Sequence, residues 1–246
     1  MGLKENWWRF NYHALRLGFI PVAKRALLLR SSSEGEIPNI RPIMLAPVHR
    51  TSADVFAIAE ASKEFVSFVS TDSFGHNKLI NFVQKTWTTA IGTVIWHEAG
   101  IDNPRKRAVE LAKDVEDRLD RRLITAAFTQ GEYQFDTVES IEEGLIGLLK
   151  RYETRHLKQK GHELRIPIVP VGIEYNRGGR GLQQSTVGRW IEKWIPFTPN
   201  WTIPALRTRI TVRYGKAHYF EGQTPRDLAE EVMKEAAELS RIPYEA

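Results

Sequence analysis

Between residues 40 and 176 short apolar runs alternate with stretches of helical period. The runs are Ile43–Val48, Phe65–Val69, Ile91–Trp96, Leu123–Phe128 and Ile166–Ile173; the helical patterns are Ala53–Lys63, Lys78–Thr86, Pro104–Arg121 and Ile141–Tyr152. Nearly continuous apolar runs suit strands buried on both faces. Strands separated by a helix-length crossover pair in parallel. The alternation therefore predicts an α/β fold, a mainly parallel sheet covered by helices. Further on, Arg207 to Tyr214 alternates like a strand, and Thr224 opens a final helix to about Ser240, with Pro225 at its first position and Asp227 behind it. Pro167 and Pro170 mark the Ile166–Ile173 run as an edge strand or an irregular end. With 246 residues, 42% of them hydrophobic, the chain can bury one sizeable core.

An N-terminal amphipathic helical element precedes the alternation. Trp7, Trp8, Phe10, Tyr12, Phe19 and Leu27–Leu29 are interleaved with Lys4, Arg9, Arg16, Lys24, Arg25 and Arg30. One reading is a pair of helices, broken around Gly18 to Pro21, lying in a membrane interface where tryptophan and basic residues are favoured. The other is a helical hairpin packed on the core with a solvated basic face, and the two are compatible. Ser31 to Asn39 reads as a loop. Val187 to Trp201 holds a second aromatic concentration, with Trp190, Trp194, Phe197 and Trp201. The longest apolar run near the N-terminus, Leu17 to Ala23, falls well short of the roughly twenty residues a spanning helix needs. No secretory signal peptide is expected, because no small-residue cleavage site follows a clean apolar region.

Composition narrows the chemistry. The chain has no cysteine, which removes thiol nucleophiles, disulfides and cysteine-held metals, and no metal site is expected. The net charge of +5 favours an anionic partner: nucleic acid, an anionic membrane or an acidic substrate. The aromatic and basic arm would suit a nucleic-acid stacking groove. No recognition motif accompanies it, so no nucleic-acid partner is expected.

The first apolar run ends in Pro47-Val48-His49-Arg50-Thr51-Ser52-Ala53-Asp54. Thr51 and Ser52 are good N-caps for a helix starting near Ala53. This puts the His49 imidazole at a strand-to-helix turn, with Asp54 in the first helical turn. A carboxylate on one ring nitrogen sets the tautomer, so the other nitrogen can accept a proton. General-base attack by a substrate alcohol on an activated acyl carbonyl is the simplest reaction such a pair performs. The spacing alone is weak evidence, since His97 and Asp102 repeat it without a clear helix to carry the aspartate. Phe128-Thr129-Gln130-Gly131-Glu132-Tyr133 leaves another buried run, and two strand-end loops can meet above a parallel sheet. Arg177 to Gly181 reads as a basic surface loop without Walker spacing.

Taken in order, these blocks resemble the glycerolipid acyltransferase family, the lysophosphatidate (1-acylglycerol-3-phosphate) O-acyltransferases and their relatives. The resemblance spans roughly residues 40 to 242. It rests on His49-Arg50-Thr51-Ser52-Ala53-Asp54 (an HX4D motif), Gly92-Thr93-Val94-Ile95-Trp96-His97-Glu98, Phe128-Thr129-Gln130-Gly131-Glu132 and Ile168-Val169-Pro170-Val171, followed by Ile210–Gly215 and the Thr224 helix. It implies a membrane-associated transferase of lipid metabolism and phospholipid biosynthesis. A fatty acyl group would pass from an acyl-CoA or acyl-carrier-protein thioester, as co-substrate, to a hydroxyl of a glycerolipid or related acceptor. His49 would be the general base and Asp54 its orienting partner, with Arg50, Ser52, Gly92, Gln130, Gly131, Glu132, Arg105 and Lys106 binding substrate. Residues 1–39 would form the membrane-interface element and linker, and residues 40–246 the acyltransferase α/β domain. The protein would sit peripherally on the cytoplasmic face of a membrane, its acyl chain in an apolar tunnel.

The sequence departs from the family pattern at informative places. The second motif usually ends in Asp-Arg, where this chain has His97 and Glu98. The third usually reads Phe-Pro-Glu-Gly-Thr-Arg; here Thr129, Gln130 and Tyr133 replace the proline, the glutamate and the final arginine. Those arginines would pair with an acceptor phosphate. The acceptor therefore lacks a phosphate, or its phosphate is held by Arg50, Arg105, Lys106 or Arg107. Two other functions remain open at this level: a non-catalytic lipid-binding relative, and an acyl thioester hydrolase in which water replaces the alcohol.

Overall fold

The computed structural model describes residues 2–51, 53–71, 86, 88–96, 104–130, 134–179 and 204–246. Its strands are β1 (Arg30–Glu34), β2 (Ile43–Pro47), β3 (Val66–Thr71), β4 (Val94–Trp96), β5 (Ile124–Ala126), β6 (Ile168–Gly179) and β7 (Arg209–Tyr214). They form one sheet in the order β1-β7-β6-β2-β5-β3-β4. Every pairing is parallel except β6 with β7. The helices are α1 (Leu3–Ala14), α2 (Ile20–Leu27), α3 (Asp54–Ser62), α4 (Pro104–Asp120), α5 (Gly144–Lys160) and α6 (Pro225–Ser240). This is the α/β architecture that the alternating pattern predicts. The Lys78–Thr86 helix, apart from Thr86, and the Val187–Trp201 segment lie outside the described residues.

The sheet is covered on both sides because successive strand residues point to opposite faces. Ile43 and Leu45 join one apolar cluster with Trp8, Tyr12, Leu15, Ile20 and Ile58. Met44, Ala46 and Val48 join another with Val115, Leu149, Val232 and Met233. Thus α1 to α3 pack on one face and α4 to α6 on the other. All five residues of β2 are buried, which explains its unbroken apolar character.

Three local expectations change. The N-terminal segment is one nearly continuous helix, with a π-helical turn at Leu15–Phe19 joining α1 to α2. The wider turn accommodates Pro21, which has no N–H to give and crowds the carbonyl one turn back. Ser31–Glu34 belongs to a strand rather than a loop, because β1 adds to the sheet in parallel beside β7. Finally, β6 is a central strand between β7 and β2. It tolerates Pro170 because that residue stands just past the end of β7, where the Pro170 carbonyl accepts from Gly215 N–H at 2.9 Å. The missing donor therefore costs one ladder bond at the end of the β7 pairing. The same strand runs on to Gly179, so residues 177–179 are extended sheet and not a surface loop.

The long helix presents two apolar faces. Trp8, Tyr12, Leu15 and Ile20 are buried in the core, whereas Leu3, Trp7, Phe10 and Leu17 lie on the opposite side and are exposed. Trp8 lies beneath the Arg118 guanidinium, 3.9 Å from its ring centre. No helix among the described residues is long and apolar enough to cross a membrane.

Candidate active site

β5, β2 and β6 are adjacent and parallel, so the loops leaving their carboxyl ends gather at one edge of the sheet. This is the usual ligand-binding edge of such sheets. His49 stands two residues beyond β2. Its Nδ1 lies 3.0 Å from Oδ2 of Asp54, the first residue of α3. The Asp54 side chain is fully buried, while that of His49 is 17% exposed.

Asp54 gathers the whole turn. Oδ2 also accepts from the backbone N–H of Arg50 at 2.5 Å and of Thr51 at 2.8 Å. Oδ1 accepts from the Tyr175 hydroxyl, which lies 2.7 Å from Thr51 Oγ1. Four hydrogen bonds use the lone-pair capacity of one carboxylate. Such pairing offsets the cost of burying the group. The expected capping differs accordingly: the N-cap of α3 is Ala53, without a side-chain cap, and the Asp54 carboxylate orders the preceding loop instead. With Nδ1–H donating to Asp54, Nε2 is the ring nitrogen suited to accept a proton.

The β5 loop supports the imidazole from the side. Phe128 stacks on the His49 ring with centroids 3.8 Å apart. Gln130 accepts from the backbone N–H of His49 through Oε1, and its amide nitrogen donates to Gln134 Oε1 at 3.1 Å. Gln134 N–H closes the link by donating to the His49 carbonyl at 2.8 Å. Gln130 is 2% exposed and clamps the loops together.

Arg50 is buried as well. It is 2% exposed. Its Nε donates to the Phe135 carbonyl at 2.6 Å, and another guanidinium nitrogen donates to the Ile173 carbonyl at 3.1 Å. Asp136 lies 3.7 Å from the third. Burial pulls the Arg50 pKa below the usual arginine value, and Asp54 acts against that pull. The side chain ties β6 to the loop after β5.

Gly92 is buried in a turn at φ +77°, where an added Cβ would meet Phe65 at 2.9 Å and Trp8 at 3.0 Å. Close packing against the N-terminal helix thus accounts for it. Arg105 and Lys106 are exposed in the first turn of α4, which follows β4 and so begins on the catalytic edge of the sheet. Ser52, Gly131 and Glu132 lie outside the described residues, as do His97, Glu98 and Asp102. Among the described residues no group of His, Asp and Glu could hold a metal ion.

Tyr175 and Gln134 escaped the reading by sequence. The strand-like run appeared to end at Ile173, and neither residue lies in a recognisable motif. Tyr175 is the more consequential. Burial first, then the charge of Asp54 and the hydrogen bond to it, push its phenol well above the usual tyrosine range, so it remains a donor.

No protein-family model and no curated protein matches the sequence. Among solved structures, the fold is similar to the crystal structure of the 1-acyl-sn-glycerophosphate (LPA) acyltransferase, PlsC, from Thermotoga maritima. The TM-score is 0.54 at 15% identity, covering 97% of this chain and 83% of that one. At such identity the likeness establishes the shared α/β fold.

Proposed function

We propose that the chain is a His–Asp acyltransferase acting at a membrane surface. The observation that carries this reading is the contact between His49 Nδ1 and the buried Asp54 carboxylate at the carboxyl edge of the sheet. In this reading, Nε2 takes the proton of the acceptor hydroxyl as its oxygen attacks the thioester carbonyl. The tetrahedral intermediate then collapses, breaking the carbon–sulfur bond. The imidazolium, stabilised by Asp54, returns the proton to the departing thiolate. The fold shared with a solved acyltransferase supports this chemistry, as do the family-like motif blocks.

The acceptor is a glycerolipid or related alcohol. Of the cations once assigned to an acceptor phosphate, Arg50 is committed to backbone carbonyls. Arg105, Lys106 and Arg107 stand in the first turn of α4. The exposed stripe of Leu3, Trp7, Phe10 and Leu17 supports peripheral association through the N-terminal helix.

The test is incubation with a labelled acyl thioester, on coenzyme A or on carrier protein, and a panel of lysophospholipids, glycolipids and simple alcohols. Acylated acceptor should form with the wild type and not with folded His49→Ala. Release of free fatty acid alone would assign hydrolysis instead. Near-normal transfer by His49→Ala would remove the proposed mechanism. Changing Arg105, Lys106 and Arg107 together to Gln should raise KM only if a phosphate is gripped there.

A further inference from the structure

Beyond Tyr175, the same edge of the sheet carries a second feature. A groove of about 750 Å³ is lined, among the described residues, by Lys24, Arg25, Arg30, Asn176, Arg207 and Arg209, with Glu60 the one acidic residue. Its walls are built by the sheet. Arg30 is the register partner of Arg209, and Asn176 Oδ1 accepts from the Arg209 N–H at 2.8 Å. Lys24 and Ser31 use up Glu60, at 2.6 Å each. Among the described residues, no ion pair joins Arg25, Arg30, Arg207 or Arg209 to a carboxylate. Four like charges held around one opening are favourable when an anion lies between them.

The rim identifies the anion. Leu28, an exposed large apolar residue, lines the groove with Pro21 and Leu29, and the exposed Leu206 precedes Arg207 in the chain. Apolar side chains next to basic ones suit the boundary between acyl chains and headgroups. Among the described residues, no lining residue is aromatic. Position argues against a lysophosphatidate phosphate. β7 is two strands and β1 three strands from β2, which puts the backbones of Arg209 and Arg30 roughly 10 to 15 Å across the sheet from the His49 strand. That is too far for a phosphate on the carbon next to a hydroxyl held at His49.

We propose that this groove binds the phosphate headgroup of an anionic bilayer phospholipid that is not itself a substrate, and thereby turns the catalytic edge towards the membrane. The proposal rests on the membrane reading above and adds to it a lipid class, a site and an orientation.

The full-length protein would be titrated with vesicles of phosphatidylcholine alone or mixed with phosphatidylglycerol. The wild type should partition preferentially onto the mixed vesicles. Each basic residue near an anionic surface contributes roughly fivefold. The pairs Arg25→Gln/Arg30→Gln and Arg207→Gln/Arg209→Gln should therefore each weaken binding about 25-fold. Lys158→Gln/Lys160→Gln, an equal charge change at the exposed end of α5, should leave binding intact. Equal binding of the wild type to both vesicles, or equal losses in all three variants, would overturn the proposal. So would displacement from vesicles by soluble coenzyme A, or a raised KM for thioester or acceptor in detergent, since either assigns the groove to a substrate. A wild type that transfers no acyl group would defeat the acyltransferase reading, while the vesicle titration would still decide the groove.

Discussion

Tyr175, deep in β6, donates its hydroxyl to Oδ1 of Asp54, the carboxylate whose other oxygen holds the His49 ring. The orientation of the imidazole thus depends on a strand 121 residues away in sequence. A hydrogen bond to a charged group contributes about 1.5–3 kcal/mol. Tyr175→Phe should therefore lower kcat at least tenfold, by about that range converted, with little change in the KM for acceptor. A purely structural role would show as lost stability without this kinetic split, so unfolding curves should accompany the kinetics.

Asp54→Asn tests the charge itself. The amide offers one acceptor oxygen and two donors where four donors now converge, so the ring loses its fixed tautomer. The equivalent change in the serine-protease triad costs on the order of ten thousand-fold in kcat. A similar loss is expected here, with the helix and strand content unchanged by circular dichroism. Retention of even a tenth of wild-type turnover would mean that Asp54 does not orient the base.

Arg50→Ala should act on folding. It removes the donors to the Phe135 and Ile173 carbonyls and leaves a void beneath Tyr175. Each unsatisfied buried acceptor costs about 1–3 kcal/mol, so a loss of roughly 3 kcal/mol is expected from urea unfolding. If stability is unchanged and the KM for phosphate-bearing acceptors rises instead, Arg50 touches substrate after all.

Gln130→Glu would restore the residue usual at this place in the family that the motifs resemble, and it should be unfavourable here. The carboxylate can still accept from His49 N–H, but it can no longer donate to Gln134 Oε1. Gln134 cannot simply flip, because Oε1 also accepts from the N–H of Glu139 at 2.8 Å and Nε2 donates to Ser140 Oγ. Protonation returns the donor, so the folded state favours the neutral acid and raises the new group's pKa above the ordinary value of about 4.3. Stability relative to wild type should then rise as pH falls from 8 to 5 and be lost as pH climbs through the raised pKa. Thermal midpoints of both proteins across that range would show it; a pH-independent difference would refute the pairing.

What the sequence determined by itself was local, or repeated along the chain. A strand buried on both faces must be apolar at every position, so β2 and β5 are visible as unbroken runs, and the helices between them force parallel pairing. His49 and Asp54 are close in sequence, and one strand-to-helix turn is enough to join them. Tertiary structure decided which way the other polar side chains face. Arg50 and Gln130 sit in the motif positions of substrate ligands, yet Arg50 bonds the Phe135 and Ile173 carbonyls and Gln130 the His49 N–H, up to 123 residues distant. Nothing in local spacing encodes such contacts. Pro170 misled for the same reason: it falls at the very end of the β7 pairing, where its carbonyl still holds Gly215 N–H and only its own missing donor is lost. The arginine groove likewise exists only because parallel pairing sets Arg30 beside Arg209.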